Sequence, residues 1–513
     1  MYHTGIQLSE QNPALRIRQK FPHLYSRQIQ QIPLIKCSAP TLCRMQFKRT
    51  QQIQIPRAEA VTEPVQDQRP FAGNLKIILV LAAGYDMSGE FVLYDIDHEA
   101  AAKNERIGNK MNGLKECRST WNYRTADTLN DALTGADFVV ISIMPGTFDE
   151  MESDVHAPEA FGIWQSVGDT TGPGGLFRAL RTIPMFEEFA AAIRTCCPDA
   201  WVINYTNPMT LCVKTLYRVF PQIKAFGCCH EVFGTQELLG KVLRDVAGIP
   251  DAEREDIKVN VVGVKHFTWL TATRYQAIAL YPLYRKFAEK YRATGYKEKA
   301  DNNWLNHYFT SREKVKLDLF LRFGVIAAAG DRHLAEFCPG SWYLKSPETV
   351  RSWGFELTPV SWRREELKER LARSERLYTG TEQPKVSLTG EEGVQQMRAL
   401  LGLRDLVTNV NLPNTGQIPN LPLGAVVETN AHFCADSVRP VMAGPLPETI
   451  YPLVNRICGS QELLSTAAAQ RDLSMAFQAF LMDPNMPLGP EDAGKLFEIM
   501  RKNTASYLTM YQE

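Results

Sequence analysis

The sequence lacks a surplus of either charge. Its 57 lysines and arginines balance 57 aspartates and glutamates, for a formal net charge of zero. Such a chain has no field that would gather nucleic acid or an anionic membrane surface, so the expected partner is a small molecule in a cleft. No apolar run reaches the roughly 18 residues of a membrane-spanning helix. The N-terminus lacks the apolar stretch of a secretory signal. The 11 cysteines are odd in number and follow no regular framework. That argues against a disulfide scaffold and for reduced thiols in a cytoplasmic protein. No internal repeat is visible.

What is present divides into three textures, and 513 residues are too many for one hydrophobic core. Residues 1–74 are rich in Gln, Pro and Arg and hold one acid, Glu10, before Glu59. They read as a disordered extension. A basic, acid-poor transit peptide and a rearranged gene start are the other two readings. From residue 75 apolar strands alternate with helices: FVLYDID, HEAAAKNERIGNKM, FVVISIMPG, LFRALRTIPMFEEFAAAIRTCC, WVINYTNPM. This alternation predicts an α/β fold with a doubly wound, Rossmann-like parallel sheet over 75–232. Residues 233–513 mix amphipathic helices with short strands. They are expected to form a second α/β domain for substrate binding and oligomerisation.

In a doubly wound sheet, ligands bind beyond the carboxyl ends of the strands. Asp95 and Asp97 follow the strand FVLY, where an acid accepts hydrogen bonds from a ribose diol; the alternative is a turn or helix N-cap. Pro145 and Gly146 form the turn after VVISI, and Asn207 lies in the turn after WVIN. Gly168–Gly175 (GDTTGPGG) precedes a helix, so its backbone can approach an anionic ligand or simply cap the helix. Cys229 in GCCHEV and His266 in VKHFTW each follow an apolar strand. One thiolate and one imidazole do not complete a structural zinc site, but they suit an open metal site. Either residue could equally be packed core. A disulfide between Cys228 and Cys229 would strain the bond geometry. In GDRHLAEF, Asp331 could be an N-cap, or Asp331, Arg332 and His333 could supply a base and a carboxylate-binding cation.

Taken together, these segments resemble glycoside hydrolase family 4. The order LYDID, FVVISIMPG, DTTGPGG with RALRTIP, INYTNPM, GCCHEV, VKHFTW and NVNLPNTGQIPNLP is the family's own, over about residues 75–500. NYTNPM with GCCHEVFGTQ, HFTW and GDRHLAEF resembles the α-galacturonidase branch. The resemblance implies hydrolysis of α-galacturonides by redox elimination, an exception to the paired-carboxylate scheme. NAD takes hydride from C3 of the sugar, a base removes the acidified C2 proton, and the aglycone leaves. Water then adds and the hydride returns. A divalent metal, usually Mn2+, polarises the sugar oxygens. It also implies a homo-oligomer in the cytoplasm.

Carried over by motif, Cys229 and His266 match the metal ligands. His230 matches the acid that assists the leaving group. Asn207 matches an Asn that contacts substrate and cofactor, and Asp154 an acid that tunes the base and metal. Asp95 matches the ribose acid, with Asp97, Pro145 and Gly146 beside it. Asp331, or after it His333, is the candidate base, and Arg332 the candidate partner of the substrate carboxylate. Other glycosidases of the family, acting on α-galactosides or α-glucosides, share this chemistry. A 2-hydroxy-acid dehydrogenase would share the fold without needing the Cys/His pair.

One departure stands out. The family opens with a strand, a Gly-rich turn and a helix that cradle the pyrophosphate. This chain reads LKIILVLAAGYDMSGEFVLYDID and has no such turn. Each lost hydrogen bond to a charged group is worth roughly 1.5–3 kcal/mol. NAD affinity is therefore expected to suffer, and a non-catalytic homologue is a further reading.

Overall fold

A computed structural model describes residues 87–117, 119–250, 252–297, 308, 311–384 and 392–511. β1 (Gly89–Leu93) and β2 (Trp121–Thr125) pair in parallel, from Gly89 against Trp121 to Leu93 against Thr125. The helix His98–Met111 crosses between them. Its buried positions Ala100, Asn104, Ile107, Gly108 and Met111 fall at the spacing of one helical face. Gly108 is the contact point: a Cβ there would stand 2.6 Å from the Tyr123 ring.

β3 (Phe138–Ile141), β4 (Trp201–Asn204) and β5 (Lys224–Gly227) form the predicted parallel layer. Val202, Ile203, Ala225 and Phe226 are fully buried, as strands covered on both faces require. The helices Gly172–Cys196 and Met209–Val219 make the crossovers. The first half of Gly172–Cys196 is buried all round, with Phe177 packed on Phe480 and Phe497 from the C-terminal helices.

The chain's later half then returns to this sheet. β6 (Ile257–Val264), β7 (Phe267–Tyr275) and β8 (Ile278–Ala279) form a separate antiparallel sheet, and β9 (Ile326–Ala327) pairs with β7. β10 (Leu406–Pro413) then adds antiparallel to β5, at Asn411 against Gly227. β11 (Val426–Cys434) and β12 (Ser437–Pro440) continue outward, giving the order β12-β11-β10-β5-β4-β3. The helix Val360–Thr379 bridges back to the first half. Its Glu375 pairs with Lys103, and its Arg364 pairs with Asp149.

Among the described residues, β1–β2 is a sheet of its own and β3 has a partner on one side only. In a doubly wound order the fold's first strand runs between these two edges. LKI, the expected start of that strand, lies with the rest of residues 75–86 outside the described residues. Among the described residues no helix is long and apolar enough to cross a membrane.

Candidate active site

Strand ends and loops converge on one buried cluster. After β4, Asn204 shapes its own turn: its Oδ1 accepts from Thr206 N at 2.9 Å and its Nδ2 donates to Thr206 O at 3.0 Å. Thr206 Oγ1 accepts from Ile143 N at 2.9 Å, which ties the ends of β3 and β4 together. That scaffold presents Asn207. Its Nδ2 donates to Asp169 Oδ2 at 2.8 Å, and its Oδ1 accepts from Lys265 Nζ at 2.5 Å. Arg178 Nε donates to its carbonyl at 3.2 Å.

Lys265 and His266 form the turn between β6 and β7. His266 stacks on His333, with ring centroids 4.0 Å apart and planes 16° from parallel. Behind His333 stands Glu231, whose Oε1 is 3.6 Å from Nε2. Glu231 Oε2 is fixed by Gly330 N at 2.8 Å. Asp169 completes the group: one potential ligand atom from each of Asp169, His266 and His333 lies within 4.8 Å of the others. The buried Nδ1 atoms of both histidines have no hydrogen-bond partner among the described residues.

The loop that carries Asp169 is clamped from outside. Glu336 Oε1 accepts from Val167 N at 2.7 Å and Gly168 N at 2.9 Å, and Asp483 Oδ2 accepts from Gly172 N at 2.9 Å. The glycines here serve packing. A Cβ on Gly174 would stand 2.6 Å from the Asp154 carbonyl oxygen, and one on Gly175 would stand 2.3 Å from Thr170 C.

The electrostatics favour deprotonated donors. Burial drives His266 far below its ordinary value, and the charges of His333, Lys265 and His230 act the same way. Burial also lowers His333, more than Glu231 and Asp169 raise it. Burial pushes Asp169 upward, but His333, Arg178, Lys265 and the Asn207 hydrogen bond outweigh it and hold it below its ordinary value. Two neutral imidazoles and an ionised carboxylate are the form in which a divalent cation is bound. A carboxylate behind a ligating histidine is the usual outer support.

The model of the family 4 glycosyl hydrolases matches residues 71–245, and the model of that family's C-terminal domain matches residues 261–486. The chain belongs to glycoside hydrolase family 4. It is 60% identical over 440 residues to an α-galacturonidase of Thermoanaerobacterium saccharolyticum, covering 86% of this chain and 94% of that protein. The crystal structure of lplD from Bacillus subtilis superposes with a TM-score of 0.79 at 48% identity, over 84% of this chain and 97% of that one. A 6-phospho-α-glucosidase from gut microorganisms, solved with NAD and Mn2+, has the same fold, with a TM-score of 0.68 at 19% identity over 85% of this chain and 95% of that one.

The family 4 motif residues take distinct places. Cys229 follows β5 and is buried, and burial pushes its thiol upward. Its carbonyl accepts from Asn409 Nδ2 at 3.2 Å. It lies outside the Asp169–His266–His333 group. No disulfide forms among the described cysteines. His230 is the N-cap residue of the helix Glu231–Ala247, and its charge acts on Glu231 and His266.

The Asp331–Arg332–His333 run points three ways. The N-cap of its helix is Gly330, not Asp331. Asp331 instead caps a neighbouring helix, Lys314–Phe323, by accepting from Lys316 N at 3.0 Å. Burial, with Glu313 acting the same way, pushes Asp331 up to about 7. Arg332 Nη2 donates to the Ser166 carbonyl at 2.7 Å and to Thr358 Oγ1, which ties two loops together. Only His333 meets His266.

Asp154 is buried in a two-pronged ion pair with Arg181, at 3.0 and 2.5 Å. Gly146 has φ +86°, and a Cβ there would stand 3.3 Å from Arg181 Nε. Pro145 precedes it in the turn. Asp97 is the N-cap of His98–Met111, accepting from Ala100 N at 3.0 Å. Asp95 accepts from Asp97 N at 2.9 Å.

Sequence reasoning passed over Asp169, Glu231 and Lys265, although each stands inside a quoted motif. In GDTTGPGG the backbone drew attention from the carboxylate. In CCHEV and VKHF the acid and the lysine adjoin the residues that were weighed.

Proposed function

We propose that this family 4 hydrolase cleaves α-galacturonides, with NAD and a divalent metal, most simply Mn2+, as its cofactors. The observation that carries the reading is the Asp169–His266–His333 group beside Asn207, in a chain 60% identical to an α-galacturonidase. The donor set fits a divalent cation, because the two buried Nδ1 atoms have no partner among the described residues. Asp169, His266 and His333 would hold the ion, with Glu231 behind His333. Family resemblance adds Cys229, which must shed its proton to join. Asp95 and the Pro145–Gly146 turn would receive the ribose and its neighbours. When bound, the cofactor supplies reversible hydride acceptance at C3, and the ion supplies Lewis acidity at the sugar hydroxyls.

The chain's own residues do the rest. Asn207, fixed by Asp169 and Lys265, orients the sugar hydroxyls. His230, at the edge of the cluster, delivers a proton to the departing oxygen. Glu231 keeps His333 oriented. Asp331 and Asp154 act through structure, as a helix cap and as the counter-charge of Arg181.

The test is turnover of a nitrophenyl α-galacturonide in D2O with NAD+ and Mn2+. Expected are nitrophenol release, deuterium at C2 of the freed sugar, and loss of both with EDTA. Release without C2 deuterium would remove the elimination mechanism. No release from folded protein with NAD+ bound would remove the substrate assignment. A measured Kd for NAD+ reads the effect of the absent Gly-rich turn directly.

A further inference from the structure

Lys265 is 1% exposed and lies at the centre of the cluster. Among the described residues its Nζ makes one hydrogen bond, to Asn207 Oδ1 at 2.5 Å. Among the described residues it makes no ion pair; the acids Asp169 and Glu428 feel its charge from farther off. An ammonium carries three donors, and a lysine is almost never fully buried without an ionic partner. An unpaired buried charge costs several kcal/mol and persists where a ligand supplies the missing partner.

The neighbourhood narrows that ligand to an anion. Arg332, the cation that the sequence offered to the substrate carboxylate, is bonded to Ser166 and Thr358 instead. Arg181 is taken by Asp154. Arg178 donates to the Asn207 carbonyl, and its charge is shared by Asp169 and Asp154. Lys265 shares Asn207 with Asp169, and its charge is felt by Asp169, Cys229, His266, His333 and Glu428. A divalent ion beside it would add positive charge and raise the need for an anion.

We infer that Lys265 is the specificity-determining cation that receives the carboxylate of a uronide substrate, through the Nζ donors left over from Asn207. This rests on the galacturonide reading above and names the residue that selects the acid sugar over its neutral counterpart.

The experiment compares the NAD+- and Mn2+-loaded wild type with K265M and K265R. Each is titrated by calorimetry with D-galacturonate and with neutral D-galacturonamide, and wild-type turnover of the nitrophenyl α-galacturonide is recorded beside it. The wild type is expected to favour the carboxylate over the amide by at least about 10-fold, at the lower end of what a charge-assisted contact supplies. K265M should bring the two within about threefold, with the acid losing more affinity than the amide, while K265R keeps a reduced preference. Without sugar, K265M should still give a single cooperative melt, which shows that it folds. Its Mn2+ affinity should stay within about threefold. A wild type that turns over the galacturonide but ignores the charge, or a preference that survives in K265M, would overturn the assignment and leave the galacturonide reading standing. A tenfold loss of Mn2+ affinity in K265M would make Lys265 a support for His266 and also overturn it. A wild type that neither cleaves the galacturonide nor binds galacturonate would remove both.

Discussion

His266 and His333 stack face to face with centroids 4.0 Å apart, although one sits in a β-turn and the other on a helix. Burial lowers both imidazoles, and Asp169 brings a carboxylate oxygen within 4.8 Å of a nitrogen of each.

That relationship predicts metal affinity. His333→Ala should weaken Mn2+ binding by at least about tenfold, because a ligand is removed. Glu231→Gln, which leaves the ligand but weakens its support, should cost between about 10- and 100-fold in metal affinity or activity. Calorimetric Mn2+ titration of both variants checks this. Unchanged affinity in His333→Ala would exclude it from the donor set.

Glu336 predicts a pH dependence of stability. Burial pushes its carboxyl from the ordinary 4.5 up to about 7 while it holds Val167 and Gly168. The folded pKa is the higher one, so between pH 4.5 and about 7 the folded state binds more protons than the unfolded state. The group's contribution is therefore complete below 4.5 and is lost as pH rises through about 7. At about 1.4 kcal/mol per pH unit the loss is on the order of 3 kcal/mol. Denaturant melts from pH 5 to 8 should show a steeper decline in wild type than in Glu336→Gln. Parallel curves would refute this.

Asp154 predicts a stability defect. Asp154→Asn leaves Arg181 charged and unpaired in the interior, at a cost of roughly 3–5 kcal/mol. A paired change of Asp154→Leu with Arg181→Met should recover most of it. If Asp154→Asn instead melted normally and lost turnover alone, the carboxylate would belong to the chemistry.

Asp95 and Asp97 should separate cleanly. Asp97→Ala removes an N-cap, costing about 1 kcal/mol of stability with little change in the Kd for NAD+. Asp95→Ala should weaken NAD+ binding and leave the melting temperature nearly unchanged. Fluorescence titration with NADH, paired with thermal melts, distinguishes them.

Much of this protein was legible in one dimension. Apolar runs bounded by turn residues announced β1, β3 and β4, because strand and helix periods are local properties. Asn207 and His266 stood out because each ends or follows such a run. The return of β10–β12 to the first sheet was not legible. Pairing between distant segments depends on which edge is left open, and no local pattern records that.

The finer decisions belong to the tertiary structure. Successive residues on a helix point about 100° apart, so Asp331, Arg332 and His333 face three different surroundings. Which of them meets His266 depends on how Asp331–Phe337 is rotated against the β6–β7 turn. Composition and motif order determined the family and the kind of chemistry. Packing decided that His333 joins Asp169 and His266, that Arg332 is spent on the loops, and that Lys265 is buried with no ion pair among the described residues.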